Sequence, residues 1–276
     1  MSDNWIPEFY LDNPLFTDIA SLASNFKEFS QWPDLDDYNQ FISNIYQNIL
    51  NENQIKLRFV SQGSKPECYE DGYEPRIYLK GEIQTRLQNW HDFFQIMIWA
   101  RYPHLKSFIN ALHYKAIYEK HQSDTISSQR GAVENTLTLF DECGAIIVSS
   151  NTKLLKLISN FSWEELFIKH RTAFRNELDC YIFGHALYEK ALSPYIGMTA
   201  HAILIEVDAG FFTQDSISKK KILEEKSIDY FKKSSTINTR LLHPFPILGV
   251  PGWDKRNEST DFYKDENYFR PGKRKA

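Results

Sequence analysis

Chemistry in this chain is suggested first by Phe183-Gly184-His185-Ala186-Leu187-Tyr188-Glu189. His185 and Glu189 are four residues apart, so on a helix they face the same way. An imidazole beside a carboxylate can ligate a divalent metal or serve as an oriented general base. Gly184 has no Cβ and would admit a close backbone or ligand at the helix start. A second candidate is Trp90-His91-Asp92. On a helix from Leu87, the apolar Leu87, Trp90, Phe94, Met97 and Ile98 share one face. His91 then lies at its border and Asp92 on the polar side. His91, Asp92, His185 and Glu189 are therefore the expected catalytic set, with His113 added to His91, Asp92 and His185 as metal ligands. His113 enters because it lies ten residues after Pro103 and His91 twelve before it. An antiparallel helix pair turning at Pro103 would bring the two imidazoles together. Against this, each histidine could equally belong to a buried hydrogen-bonded network.

Asp141-Glu142 reads as the turn of a hairpin, where acidic residues are common for turn reasons alone. The pair becomes interesting only if that tip faces His185. Arg76, Arg86 and Arg130 are candidate anion clamps. Arg86 stands near an expected helix start, where free backbone N–H groups already favour anions. Asn89 and Asn135 could orient such groups through amide hydrogen bonds. The fuller signature of His-Asp phosphohydrolases needs an earlier histidine, and none precedes His91. GxGxxG, the Walker phosphate loop, GxSxG and HExxH are all absent, which leaves Rossmann, P-loop, α/β-hydrolase and zincin readings unsupported.

The elements that must position these residues alternate without a regular βαβ period. Helical spacing runs through Leu15, Ile19, Leu22 and Phe26, and again from Leu35 to Ile49, with Pro33 and Asp34 as break and N-cap. Ile55–Val60 alternates as a strand. Glu74–Thr85 reads as a short hairpin turning at Lys80-Gly81. Helices are expected over Leu87–Arg101 and Pro103–His121, the second opened by a first-turn proline. The polar run 122–131 reads as a loop. Thr136–Ser149 reads as two strands around the Asp141-Glu142-Cys143-Gly144 turn. Helices follow over Thr152–Ser159 and Ser162–Phe174, the latter opened by a Ser162/Glu165 capping box. Cys180–Phe183 and Ala202–Val207 read as strands, and Gly184–Leu192 and Ile217–Phe231 as helices. The expected class is α+β, mostly helical, with a small and largely antiparallel sheet. The expected division is an acidic helical segment over 1–30, one domain over 31–271 and a basic tail over 272–276.

With 276 residues, 42% of them hydrophobic and 15% aromatic, the chain can bury a substantial core. The longest apolar runs fall far short of the roughly 20 residues a membrane span requires. No basic-then-apolar leader opens the sequence. The net charge of −4 makes nucleic acid a poor default partner. Residues 1–40 carry eight acidic residues against Lys27 alone, and Arg270, Lys273, Arg274 and Lys275 cluster near the end. Cys68, Cys143 and Cys180 are widely spaced, with no CxxC. That argues against a disulfide scaffold or thiolate zinc site and suits a reducing cytoplasm.

Five segments taken in order carry a resemblance. They are YEPRIYLKGEIQTRLQNWHDFFQ (Tyr73–Gln95), NTLTLFDECGAI (Asn135–Ile146), FGHALYEK (Phe183–Lys190), PILGVPGW (Pro246–Trp253) and YFRP (Tyr268–Pro271). Together they resemble the bacterial family catalogued as domain of unknown function 3025, over about residues 30–271. The family pattern tends to carry Asn where this chain has Gln95. The resemblance implies a bacterial, cytoplasmic protein and supplies no mechanism. Two functional classes follow from the residues themselves. One is a hydrolase-like enzyme with a His/carboxylate site, metal-assisted, acting on an anionic substrate. The other is a non-catalytic interaction protein that uses its acidic start and basic tail to hold a protein partner, its His/Asp groups being a structural network.

Overall fold

Local chemistry accounts for most helix boundaries in the computed structural model, which describes residues 4–122 and 130–272. The described residues form two compact units. The fold class is α+β, as expected.

The first unit comprises the described residues of Met1–Leu11, Ile19–Thr138 and Thr236–Thr239. The expected helix through Leu15–Phe26 does not form: Ala20–Ala23 makes one α-turn, α1, and Ser24–Phe26 a 3-10 turn, while the 3-10 turn Pro14–Phe16 belongs to the second unit. Helix α2 (Leu35–Ile45) is capped by Asp34, whose carboxylate accepts from the N–H groups of Asp36 and Asp37. Asp37 reciprocates by accepting from the Asp34 N–H at 2.9 Å, closing a capping box. Strand β1 (Arg58–Ser61) then pairs in parallel with β2 (Glu82–Thr85), Arg58 opposite Glu82. Parallel strands need a crossover, and α3 (Tyr73–Lys80) supplies it.

The expected hairpin over Glu74–Thr85 is thus replaced by a helix and a strand. The reason lies in Gly81. Its φ of 69° is left-handed, a conformation that serves a tight hairpin and a helix C-terminus equally well. Here its N–H closes α3 onto Ile77 O at 3.0 Å. Helix α4 (Trp90–Arg101) is capped by Asn89 and buried continuously from Asp92 to Ala100. Helix α5 (Pro103–Gln122) starts at the expected proline.

Helix α6 (Ala132–Cys143) runs directly into β3 (Gly144–Ser149). This corrects the expected hairpin over Thr136–Ser149. Leu137 and Phe140, three apart and fully buried, belong to a helical face, although Thr-Leu-Thr-Leu also alternates as a strand would. Asp141 and Glu142 therefore sit on the last turn of a helix.

The second unit comprises Asp12–Asp18, Leu139–Ser235 and the described residues of Arg240–Ala276. Its sheet has the order β4-β3-β5-β6. All six residues of β3 are buried, as befits a central strand covered on both faces. Helices α7 (Thr152–Ser159) and α8 (Arg171–Glu177) lie between β3 and the antiparallel β4 (Leu178–Ile182). The expected helix over Ser162–Phe174 is interrupted by a π-turn over Glu165–Lys169. Next come α9 (His185–Ala191) and β5 (Thr199–Glu206), which runs parallel to β3. Helix α10 (Ser216–Lys233) is capped by Asp215. The antiparallel edge strand β6 (His243–Pro246) contains Pro244 and Pro246, which cannot donate to a further strand. Pairing is therefore mixed, with parallel ladders at β1–β2 and β3–β5.

The C-terminal segment is fastened by polar anchors. Asn257 is fully buried, and its amide donates to Leu248 O at 2.9 Å and Val250 O at 2.6 Å. The Tyr268 hydroxyl donates to Met198 O and accepts from Leu248 N. Of the expected basic tail, Lys273, Arg274 and Lys275 lie outside the described residues.

Candidate functional site

The site in the second unit depends on two glycines. At Gly144 a Cβ would overlap the carbonyl oxygen of Phe140, so only glycine lets α6 pass directly into β3. At Gly184 a Cβ would lie 2.5 Å from Gly144 N and 2.6 Å from Cys143 Cα, and closer still to Glu142 O. All three are backbone atoms and cannot swing aside. The missing side chains let the β4–α9 link rest directly on the α6–β3 junction. Phe183 N and Gly184 N both donate to Gly144 O, at 3.0 and 2.9 Å. The stacked rings of Phe140 and Phe183, 4.7 Å apart, support the contact from the core.

This contact sets His185, the first residue of α9, against the last turn of α6. His185 is 2% exposed. Its Nδ1 lies 3.6 Å from Asp141 Oδ2 and its Nε2 lies 3.8 Å from Glu142 Oε2. The Asp141 side chain is 13% exposed and that of Glu142 is 40% exposed. One imidazole thus has an inner carboxylate at one ring nitrogen and an outer, solvent-reaching carboxylate at the other.

A neutral imidazole carries one N–H and one lone pair. If the N–H faces Asp141, the Nε2 lone pair faces the lone pairs of Glu142 across 3.8 Å. A cation between two such acceptors, a second proton on the ring or a metal ion, would turn this apposition into an attraction. Two donors bound to one ion at about 2.1 Å in a tetrahedron would stand roughly 3.4 Å apart, a few tenths of an ångström closer than this gap. A carboxylate on the far nitrogen of a ligating histidine is the usual way such a ring is oriented and made more basic. Glu189, the expected i+4 partner, is half-buried one turn further along α9.

Three residues that sequence reasoning missed border this cluster. Lys190 Nζ lies 3.6 Å from Cys143 Sγ. Burial pushes the Cys143 thiol up, Lys190 pulls it back and Glu142 opposes Lys190, so both charges reach this sulfur. His201, opposite Gly144 across the β3–β5 ladder, is held below the ordinary histidine value by burial first and by Lys190 second. Lys190 stands inside the FGHALYEK segment and was the legible member. His201 had no signal, since only strand register puts it beside Gly144.

The remaining expected residues lie in the first unit and divide differently. The Arg86 side chain grips Asp92 with two hydrogen bonds, Nε to Oδ2 at 3.1 Å and Nη2 to Oδ1 at 2.7 Å, and its backbone N–H adds a third at 2.6 Å. Both oxygens of the 8%-exposed Asp92 carboxylate are thus taken by Arg86, and the anion Arg86 holds is internal. Asn89 accepts from Asp92 N at 3.1 Å as the cap of α4. Arg76 donates to Glu82 at 2.7 Å, beside the Arg58–Glu82 pair at 2.6 Å. Arg130 is exposed and reaches Thr138 Oγ1 at 3.5 Å. Asn135 donates to the Arg130 carbonyl at 3.3 Å. His91 is half-buried on α4. His113 is buried on α5, and its Nε2 has no hydrogen-bond partner among the described residues. This unit also has a cleft of about 390 Å³ lined by residues of α2 and β1 and the segment between them, including Asn39, Ile42, Tyr46, Lys56 and Arg58.

No helix among the described residues is long and apolar enough to cross a membrane. No curated protein and no solved structure matches the chain. The model of one family, described as protein of unknown function (DUF3025), matches residues 57–273. With that match covering most of the 276-residue chain, the protein belongs to the DUF3025 family.

Proposed function

We propose that the second unit carries a metal-assisted hydrolytic site centred on His185, working in a bacterial cytoplasm on an anionic substrate. The observation that carries this reading is the placement of Asp141 and Glu142 at opposite nitrogens of one buried imidazole. In it, Nε2 of His185 and Oε2 of Glu142 are donors to one divalent cation. Asp141, 3.6 Å from Nδ1, would fix the tautomer by closing to hydrogen-bond distance and so turn the lone pair toward the ion. A cation held at the more exposed Glu142 side is open to solvent, where it would lower the pKa of a bound water and make a nucleophile near neutral pH. Glu142 is also within reach to take a proton from that water.

The test is elemental analysis of the purified, untagged protein after reconstitution with zinc, manganese or iron. About one equivalent of metal is expected, lost in both His185→Ala and Glu142→Gln. Glu142 is the more exposed partner, so Glu142→Gln gives a readout even if His185→Ala fails to fold. A protein that takes up no metal after reconstitution overturns the reading. The cluster would then be a structural polar network.

A further inference from the structure

Lys190 stands in an unusual setting. It is half-buried, and its Nζ contacts the Cys143 thiol at 3.6 Å. Among the described residues it has no ion-pair partner. Elsewhere in this unit, lysines that approach burial are neutralised. Lys219 pairs with Asp179 at 3.4 Å and Lys220 with Glu224 at 3.1 Å. A partly desolvated ammonium with no counterion costs free energy that an anionic ligand would recover. His201 stands opposite Gly144, the residue after Cys143, across the β3–β5 ladder, and its ring likewise has no hydrogen-bond partner among the described residues. The expected anion clamps Arg76 and Arg86 are occupied by Glu82 and Asp92. All three expected anion clamps, Arg130 included, lie in the first unit, whereas Lys190 contacts Cys143, the residue after Glu142, in the second.

We infer that Lys190 and His201 form the anion-binding side of this site and that the anion is the phosphoryl group of a phosphomonoester. Lysine suits phosphate as a compact point charge, whereas planar recognition of a carboxylate favours arginine. His201 adds one ring N–H as a hydrogen-bond donor. The inference rests on the metal-site reading for its chemistry, but its binding test does not require the metal.

The probe is inorganic phosphate, titrated calorimetrically into the full chain with and without the metal, beside Lys190→Met, Lys190→Arg and His201→Gln. Wild type should bind phosphate in the millimolar range or tighter. Lys190→Met should weaken binding at least about tenfold, with metal content unchanged, while Lys190→Arg largely restores it. His201→Gln should show a smaller loss. Wild type that holds metal yet ignores phosphate overturns the inference and leaves the metal reading standing, as does Lys190→Met binding phosphate like wild type. A protein that takes up no metal, but whose phosphate affinity still depends on Lys190, supports the anion site and overturns the metal reading alone.

Discussion

Gly184→Ala is the sharpest test of how the site is built. The native backbone at this position, φ −69° and ψ 117°, is open to alanine, so no conformational penalty arises. The penalty is steric. The new methyl group would meet Gly144 N at 2.5 Å and Cys143 Cα at 2.6 Å, as well as Glu142 O. Overpacking of this kind costs about 1–3 kcal/mol when side chains can yield, and here only backbone faces the intruder. Relief requires lifting the β4–α9 link, which strains or breaks the Phe183 and Gly184 hydrogen bonds to Gly144 O. Each contributes about 1 kcal/mol net. The sum is about 3–5 kcal/mol, or roughly 10 °C in melting temperature for a chain of this size. Because the same movement withdraws His185 from Asp141 and Glu142, bound metal should fall in parallel. The control is Gly210→Ala, where a Cβ meets nothing within 4 Å; its effect should stay within about 1 kcal/mol. Thermal and urea unfolding of both variants measure the difference. If Gly184→Ala melts with the Gly210→Ala control and keeps its metal, close packing at this junction does not position His185, and the reasoning fails.

Two further outcomes follow from buried polar groups. Asn257→Ala strips the side-chain amide from the Leu248 and Val250 carbonyls and should cost about 2–4 kcal/mol in urea unfolding; an effect below about 0.5 kcal/mol would mean that these carbonyls are satisfied otherwise. Stability should also decline as pH falls below about 6.5. Burial holds His201 and His243 below the ordinary value, so the unfolded chain takes up protons first, and the loss levels off once pH passes their folded values. Asp254, held low by its hydrogen bond from Arg256, contributes only below about pH 4. The double variant His201→Gln/His243→Gln should flatten the curve between these windows; an unchanged slope there would assign it to other groups.

Much of the helical skeleton was legible because its signals are local. Asp34 and Asp37 announce the cap of α2, Pro103 opens α5, and the Thr152–Ser159 helix needs only its own periodicity. The two misread hairpins share one cause. Gly81 and Gly144 are compatible with a strand turn and with a helix end, and the deciding contacts lie far along the chain: β1 for the first, β5 and the β4–α9 link for the second. Among the site residues, His185 was legible from its motif, whereas the role of Asp141 and Glu142 depended on where their segment faced.

Residue type and spacing alone thus determined the α+β class, the resemblance to the DUF3025 family and the choice of His185 as a focus. Only the tertiary structure decided which charges meet. It gave Arg86 to Asp92, set Asp141 and Glu142 against His185, and left Lys190 beside a thiol. The physical reason is range. Caps and helical faces are set by neighbours within about four residues, whereas pairing across Gly144 and Gly184 joins backbone forty residues apart through sterics that sequence pattern does not encode.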